Sequence, residues 1–237
     1  IMRFKKKLFI FCLIFFFSIC NSYSAMVTFN KISDVDDDPS TTSLASGIEF
    51  NSNGTKMFVS YANSSADNVA KVRTYNLTSP YDVSTAEFAG STENCELTGV
   101  NIAGNRQVYD LEISNDGMKL LVASRHFNSN TADEHKAHVF NLSSPYDISS
   151  CALASQTTDL NNAANTHGSN AGDFGSSGRG NHKLQSLEIS NDGTKLFLLF
   201  FDNASNGVGG RLYEYKLSSA YNLSSLNLVQ SAGIKFN

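Results

Sequence analysis

The chain has 237 residues, with 18 Lys and Arg against 22 Asp and Glu, enough for one or two ordinary domains. Four of the basic residues, Arg3, Lys5, Lys6 and Lys7, sit at the extreme N-terminus; the remainder carries 14 basic against 22 acidic residues, a formal charge of −8. That balance argues against a nucleic-acid partner, which recruits Lys- and Arg-rich faces, and suits a soluble exported protein kept dispersed by its charge.

Taken in chain order, residues 2–24 come first. The basic cluster is followed by an apolar run of 12 residues, Leu8–Ile19, and then by Ser22-Tyr23-Ser24. This is the pattern of a secretory signal peptide cleaved before Ala25. The run is shorter than the about 20 apolar residues of a membrane-spanning helix, and no second stretch is long enough. An uncleaved anchor is the alternative. Residues 1–24 are thus expected to direct the protein out of the cytoplasm, to the periplasm or beyond. Cys12 and Cys20 lie in this segment, so the rest of the chain keeps only Cys95 and Cys151. Two cysteines make no disulfide scaffold, and an apolar core must hold the fold.

Residues 25–46 read as an N-terminal strand and acidic linker. Asp34, Asp36 and Asp38 alternate as in a calcium loop, but an EF-hand wants Gly at its sixth position and Glu at its twelfth, and Pro39 and Ala45 stand there. A solvated linker is the simpler reading, a loose calcium site the alternative. No other cofactor is expected.

From residue 47 onward the chain repeats itself. Gly47–Tyr61 (GIEFNSNGTKMFVSY), Asp110–Ser124 (DLEISNDGMKLLVAS) and Ser186–Phe200 (SLEISNDGTKLFLLF) align. Each is followed, after a polar loop, by a second shared block: Lys71–Ser84 (KVRTYNLTSPYDVS), Ala137–Ser149 (AHVFNLSSPYDIS) and Arg211–Ser224 (RLYEYKLSSAYNLS). Within a unit, Ile48-Glu49-Phe50 alternates as a half-buried strand does. Asn53-Gly54, Asp116-Gly117 and Asp192-Gly193 are tight-turn pairs, with glycine at positive φ. Met57–Val59, Leu120–Val122 and Leu196–Phe201 are unbroken apolar runs, as in a strand covered on both faces. A third strand follows around Val72–Tyr75, His138–Phe140 and Leu212–Tyr215, and a fourth around Thr85–Ala89 and Cys151–Ser155. No segment keeps a helical period. Each unit is therefore expected to be a four-stranded antiparallel meander, the blade of a β-propeller.

The repeats are placed at 47–109, 110–185 and 186–232. Gly233–Asn237 matches Gly47–Asn51, so a truncated fourth is expected from residue 233. Three blades cannot close a ring, since propellers use about 4–8; the fold class expected is an incomplete all-β propeller, the N-terminal part of a longer one.

The hairpins SNDGMKLLV, SNDGTKLFL and NSNGTKMFV resemble those of bacterial propeller repeats of the WD40-like (PD40, TolB-type) and YVTN/lactonase-like superfamilies. The following LTSPYDVS and LSSPYDIS blocks resemble a repeat of exported bacterial proteins. The resemblance covers about residues 44–237. It implies the fold and leaves function open, because propellers host enzymes, scaffolds and receptors alike.

No catalytic constellation stands out. Asp133-Glu134-His135-x-x-His138 is the densest cluster of metal-ligating types, but on a strand its two histidines point to opposite faces; His138 aligns with Val72 and Leu212. Gly175–Arg179 lacks the last glycine of a nucleophile elbow. The recurring tyrosines Tyr75, Tyr81, Tyr146, Tyr213, Tyr215 and Tyr221 read as blade packing ahead of a sugar-stacking surface. The first reading of function is thus a non-catalytic module that binds a protein or a glycan. The alternative, which the resemblance allows, is a lactonase-like or other hydrolytic enzyme with a metal near the axis, where Glu49, Glu112 and Glu188 recur.

Two positional expectations follow. The first-to-second and third-to-fourth strand turns share one rim and are short in every repeat; all insertions, including Ser124–Lys136 and Thr157–Lys183, fall at the other. Insertions of that kind mark binding faces, so Arg125, His126, Phe127, His167, Phe174 and Arg179 are the expected contacts. Cys95 and Cys151 are expected at opposite rims and unbonded, since a disulfide needs Cα atoms within about 7 Å.

Overall fold

A computed structural model describes residues 44–62, 70–97, 106–126, 134–160, 182–202 and 210–234. The expected signal segment, the acidic linker with Asp34, Asp36 and Asp38, and the rim residues Phe127, His167, Phe174 and Arg179 lie outside them. Among the described residues no helix is long and apolar enough to cross a membrane.

The described chain is all β, in three antiparallel sheets. Blade 1 comprises β1 (Leu44–Phe50), β2 (Lys56–Ala62), β3 (Lys71–Leu77), β4 (Ala86–Phe88) and a two-residue β5 (Cys95–Glu96). Blade 2 comprises β6 (Arg106–Ile113), β7 (Lys119–His126), β8 (Glu134–Asn141) and β9 (Ala152–Gln156). Blade 3 comprises β10 (His182–Ile189), β11 (Lys195–Asp202), β12 (Gly210–Leu217) and β13 (Leu226–Ile234). Each pairs in simple sequence order, with β4 and β5 sharing the outer edge of blade 1. These are three propeller blades, and they do not close a ring.

One turn architecture recurs three times. Gly54, Gly117 and Gly193 hold φ of 70°, 71° and 69°. Their carbonyls accept the amides of Tyr81, Tyr146 and Tyr221 at 2.9, 2.8 and 2.8 Å. Among the described residues those three tyrosines are the non-glycine residues at positive φ, 58–60°, a conformation that costs free energy unless its surroundings enforce it. Each ring lies flat over its glycine: a β-carbon on Gly117 would sit 2.7 Å from the Tyr146 ring. The hydroxyls of Tyr81 and Tyr146 donate to the carbonyls of Ser52 (2.9 Å) and Asn115 (3.1 Å). The S-P-Y-D block is thus the clamp on the N-D-G turn.

The hairpin is also held by its own side chains. Asp116 Oδ1 accepts from Ser114 Oγ (2.6 Å) and Met118 N (2.9 Å), and Asp192 does the same with Ser190 (2.6 Å) and Thr194 N (3.0 Å). The Ser190 hydroxyl first, then Thr194, hold the Asp192 carboxyl down to about 2.

Apolar runs pack as expected of central strands. Leu120 and Leu121, on opposite faces of β7, are both fully buried. Leu120 joins a core with Phe58 and Val72 of blade 1; Leu121 joins one with Leu187 and Leu198 of blade 3. Each seam between blades is therefore one apolar cluster.

Three expectations need correction. Gly233 and Ile234 do not open a new strand: they continue β13 and pair with Arg211 and Gly210, where the ladder satisfies their backbone. His138 aligns one position away from Val72: it faces Val122, as Arg73 faces Val59 and Tyr213 faces Leu198. Last, Cys95 and Cys151 are joined, with Cα atoms 5.8 Å apart. Twist of about 20–25° per strand step accumulates to roughly 60–75° across a blade, and the outer strand of blade 1 breaks at Gly90 (φ 111°) and a 3-10 turn, Ser91–Glu93, that rests on the Ile148–Ser150 turn of blade 2.

Gly117→Val is expected to lower stability by more than about 1 kcal/mol, because a β-branched residue is strained at positive φ and its side chain meets Tyr146. Chemical unfolding measures this; an unchanged midpoint would refute the clamp.

Candidate functional site

The inner strands β1, β6 and β10 lie side by side, and they carry the carboxylates that recur with the repeat. Each strand has a bulge at the same place, between Ala45 and Gly47, Val108 and Asp110, and Leu184 and Ser186. A bulge re-aims the side chains that follow it, here toward the neighbouring blade. Asp110 Oδ2 accepts from Ser186 Oγ at 2.6 Å and Leu187 N at 3.1 Å, and Glu112 Oε2 accepts from Ile189 N at 2.7 Å. The edge amides of β10 are thereby satisfied by carboxylates of blade 2. At the first seam the equivalent of Asp110 is Gly47, where a β-carbon would lie 3.1 Å from the Cα of Asp110; that approach leaves no room for a side chain. Glu49 instead accepts from its own neighbour, Phe50 N, at 3.0 Å.

This strip is electrostatically unusual. Burial, then the charge of Glu188, then those of Glu49 and Asp110, push Glu112 up to about 8 against the opposing Ile189 hydrogen bond. Burial also raises Glu49, helped by Glu188 and Asp110. Carboxylates shifted by desolvation and by one another are what a catalytic or cation-binding axis would contain. The geometry here is different: Asp110 Oδ2 and Glu112 Oε2 each accept a backbone amide of the next blade, and Asp110 Oδ1 accepts Leu111 N of its own strand. Among the described residues no group of three or more His, Cys, Asp or Glu side chains is placed to hold a metal ion.

The two histidines of the candidate metal cluster diverge. His135 Nδ1 accepts from Leu184 N at 3.2 Å, with its ring against Phe200 in the second seam. His138 Nε2 lies 2.8 Å from Ser124 Oγ. Ser124–His138 has the spacing of a nucleophile and its base, a pairing the sequence reading missed. It is buried and fills the slot held by Tyr61 and Arg73 in blade 1, where the guanidinium sits 4.6 Å from the ring centroid, and by Phe200 and Tyr213 in blade 3. The slot is a packing position with three different chemistries.

Of the expected rim contacts, Arg125 lies in β7, only 4 % exposed, with Nη1 3.4 Å from the Tyr109 hydroxyl. His126 ends the same strand. Ser124 and Arg125, which the repeat alignment placed in the insertion, are thus strand residues.

No family model matches the chain, and no curated protein matches it in sequence. Solved structures similar to it include the β-propeller domain of Cps50 (Swd1) from Myceliophteria thermophila, at 12% identity and a TM-score of 0.43 over 87% of this chain and 49% of that one. A hypothetical selenium-binding protein from Sulfolobus tokodaii matches at 12% and 0.43, over 81% and 42%. A eukaryotic initiation factor matches at 11% and 0.38, over 86% and 37%. The chain spans about half or less of each.

Glu112 sets a pH signature. Its folded pKa is raised from 4.5 to about 8, so its contribution to stability is complete below about pH 4.5 and is lost as pH rises through 8. The turn aspartates act in the opposite direction and only below their ordinary values, in the window where Asp192 titrates. Thermal midpoints should therefore fall between pH 5 and 8, and Glu112→Gln, which keeps a neutral acceptor for Ile189 N, should flatten that fall. An equally steep fall in the variant would contradict the assignment.

Proposed function

We propose that this chain is an exported interaction module, in which the propeller blades are a scaffold and the long-loop rim meets a protein or a glycan. The observation that carries the reading is the difference between the two rims. On one, the turns at Gly54, Gly117 and Gly193 are clamped by the same tyrosine contacts in every repeat. A surface built three times alike is scaffold. The other rim holds every insertion, and per-repeat insertions map to binding faces. His126, Phe127, His167, Phe174 and Arg179 are the proposed contacts; Arg125 is not among them, since burial in β7 takes it out of reach. The Cys95–Cys151 bridge supports export, because structural disulfides persist in oxidising compartments.

The chemistry available at the axis favours this reading over a hydrolytic one. The raised Glu112 carboxyl is a feature an enzyme would want, but it is tied to Ile189 N. A calcium or manganese titration separates the two: stoichiometric binding abolished by Glu112→Gln would favour the enzyme.

The binding face is tested by two variants. The loop trim has to spare Thr157 and Leu160, which are buried; Thr157 Oγ1 accepts from Ala137 N at 3.1 Å. Removing residues 161–181 should abolish binding to a cell-surface glycan array or extracellular-matrix preparation. Replacing Ser144 and Asp147 in the short turn should leave binding intact. Loss in the second variant alone, with both folded, would reverse the face assignment.

A further inference from the structure

The outer strand of blade 1 is built differently from its two counterparts. In blade 3 it is a single strand of nine residues, β13, and in blade 2 one of five, β9. In blade 1 it is split into three residues of β4 and two of β5. Between them the chain leaves the sheet at Gly90 and turns through Ser91–Glu93. β5 pairs with only Lys71 and Val72 of β3. A two-residue ladder is a weak attachment, since strands of ordinary length have five or six residues.

Nevertheless this segment is deeply inserted. Cys95 and Leu97 are 0% and 1% exposed and belong to the apolar cluster of the first seam, with Phe58, Val72 and Leu111. What holds it there from the other side is the bond from Cys95 to Cys151, at the end of the Ile148–Ser150 turn of blade 2. The bridge is not a repeat feature. Cys95 faces Val72 as Ala232 faces Leu212, and Cys151 stands where blades 1 and 3 have Ala86 and Leu226. The second seam secures its outer strand without sulfur: Ser155 Oγ donates to Tyr221 O at 2.9 Å and accepts from Leu223 N at 3.2 Å.

We propose that the Cys95–Cys151 bridge is a redox latch on blade 1. Oxidised, it holds β5 and Leu97 in the first seam; reduced, it releases residues 90–97 and opens the apolar cluster beside Val72 and Ile148 while blades 2 and 3 stay together. Cys151 is half-buried and Cys95 fully buried, so an external thiolate attacks the Cys151 sulfur and Cys95 leaves as the thiolate. With a dithiol reductant the second thiol then resolves the mixed disulfide. The S–S bond takes two electrons and two protons, giving two protein thiols and the oxidised, cyclic form of the reductant.

The reporter is the amide of Leu97, which donates to Ala70 O at 3.1 Å in the latched state. Hydrogen exchange of the full chain is measured oxidised and after dithiothreitol. Leu97 should exchange at least about tenfold faster when reduced, with β11 and β12 changed by less than about twofold, as local opening requires. Oxidised glutathione should restore the slow rate. Cys151→Ala, which leaves Cys95 in place but removes the bond, should give the reduced pattern without reductant. Unchanged Leu97 exchange in either the reduced chain or the variant would overturn the proposal. So would equal acceleration in β11 and β12, because that is global unfolding instead of a latch.

Discussion

A four-stranded meander has two apolar faces and bare edges, and it cannot bury both faces by itself. This constraint organises the whole structure. Leu111 of β6 and Leu187 of β10 are each 3% exposed, because a neighbouring blade covers them; Ile48, the same repeat position in blade 1, is 54% exposed. At the opposite end Leu212 is 39% exposed where Val72 and Ala137 are fully buried. The residue type barely differs among these positions. What differs is whether a blade stands beside them, and burial of a side chain of this size stabilises by about 1.5–3 kcal/mol.

The polar arrangements are subordinate to that packing. Bringing inner strands together would strand the edge amides of β10, at a cost of about 1–3 kcal/mol for each left unsatisfied. Asp110 and Glu112 remove that cost across the second seam. The first seam takes another route, with a glycine at the close approach and a covalent bond at the outer strand. Two seams of one copied scaffold have thus diverged in how they are held, while the turns that shape each blade have stayed alike.

Much of this was legible in the residues. The N-D-G pairs placed the hairpins and the positive φ, because few residues other than glycine adopt it readily, and the unbroken apolar run Leu120–Val122 marked a strand covered on both faces. The tyrosine of S-P-Y-D was read as packing, yet its left-handed backbone was not foreseen: nothing in the pattern distinguishes it from an ordinary turn residue, and only the glycine opposite explains it. The bulges at Ser46, Tyr109 and Gln185 were equally invisible, since they interrupt register without changing composition. The disulfide was misjudged because a flat picture of a blade separates two outer-strand positions that twist brings together. Glu112 was noticed as a repeated carboxylate, but its partner, Ile189 N, belongs to another blade, and no spacing within one repeat encodes that contact.

Seam burial carries the fold, and the most direct measurement compares a leucine inside a seam with a leucine at an open face. Leu121→Ala removes a fully buried side chain from the second seam and should lower the unfolding free energy by about 2–5 kcal/mol, the range for buried leucines. Leu212→Ala, on the exposed face of blade 3, should stay within about 1 kcal/mol of the parent. Equal losses in the two variants, or a larger one for Leu212→Ala, would contradict the claim that neighbouring blades bury the core.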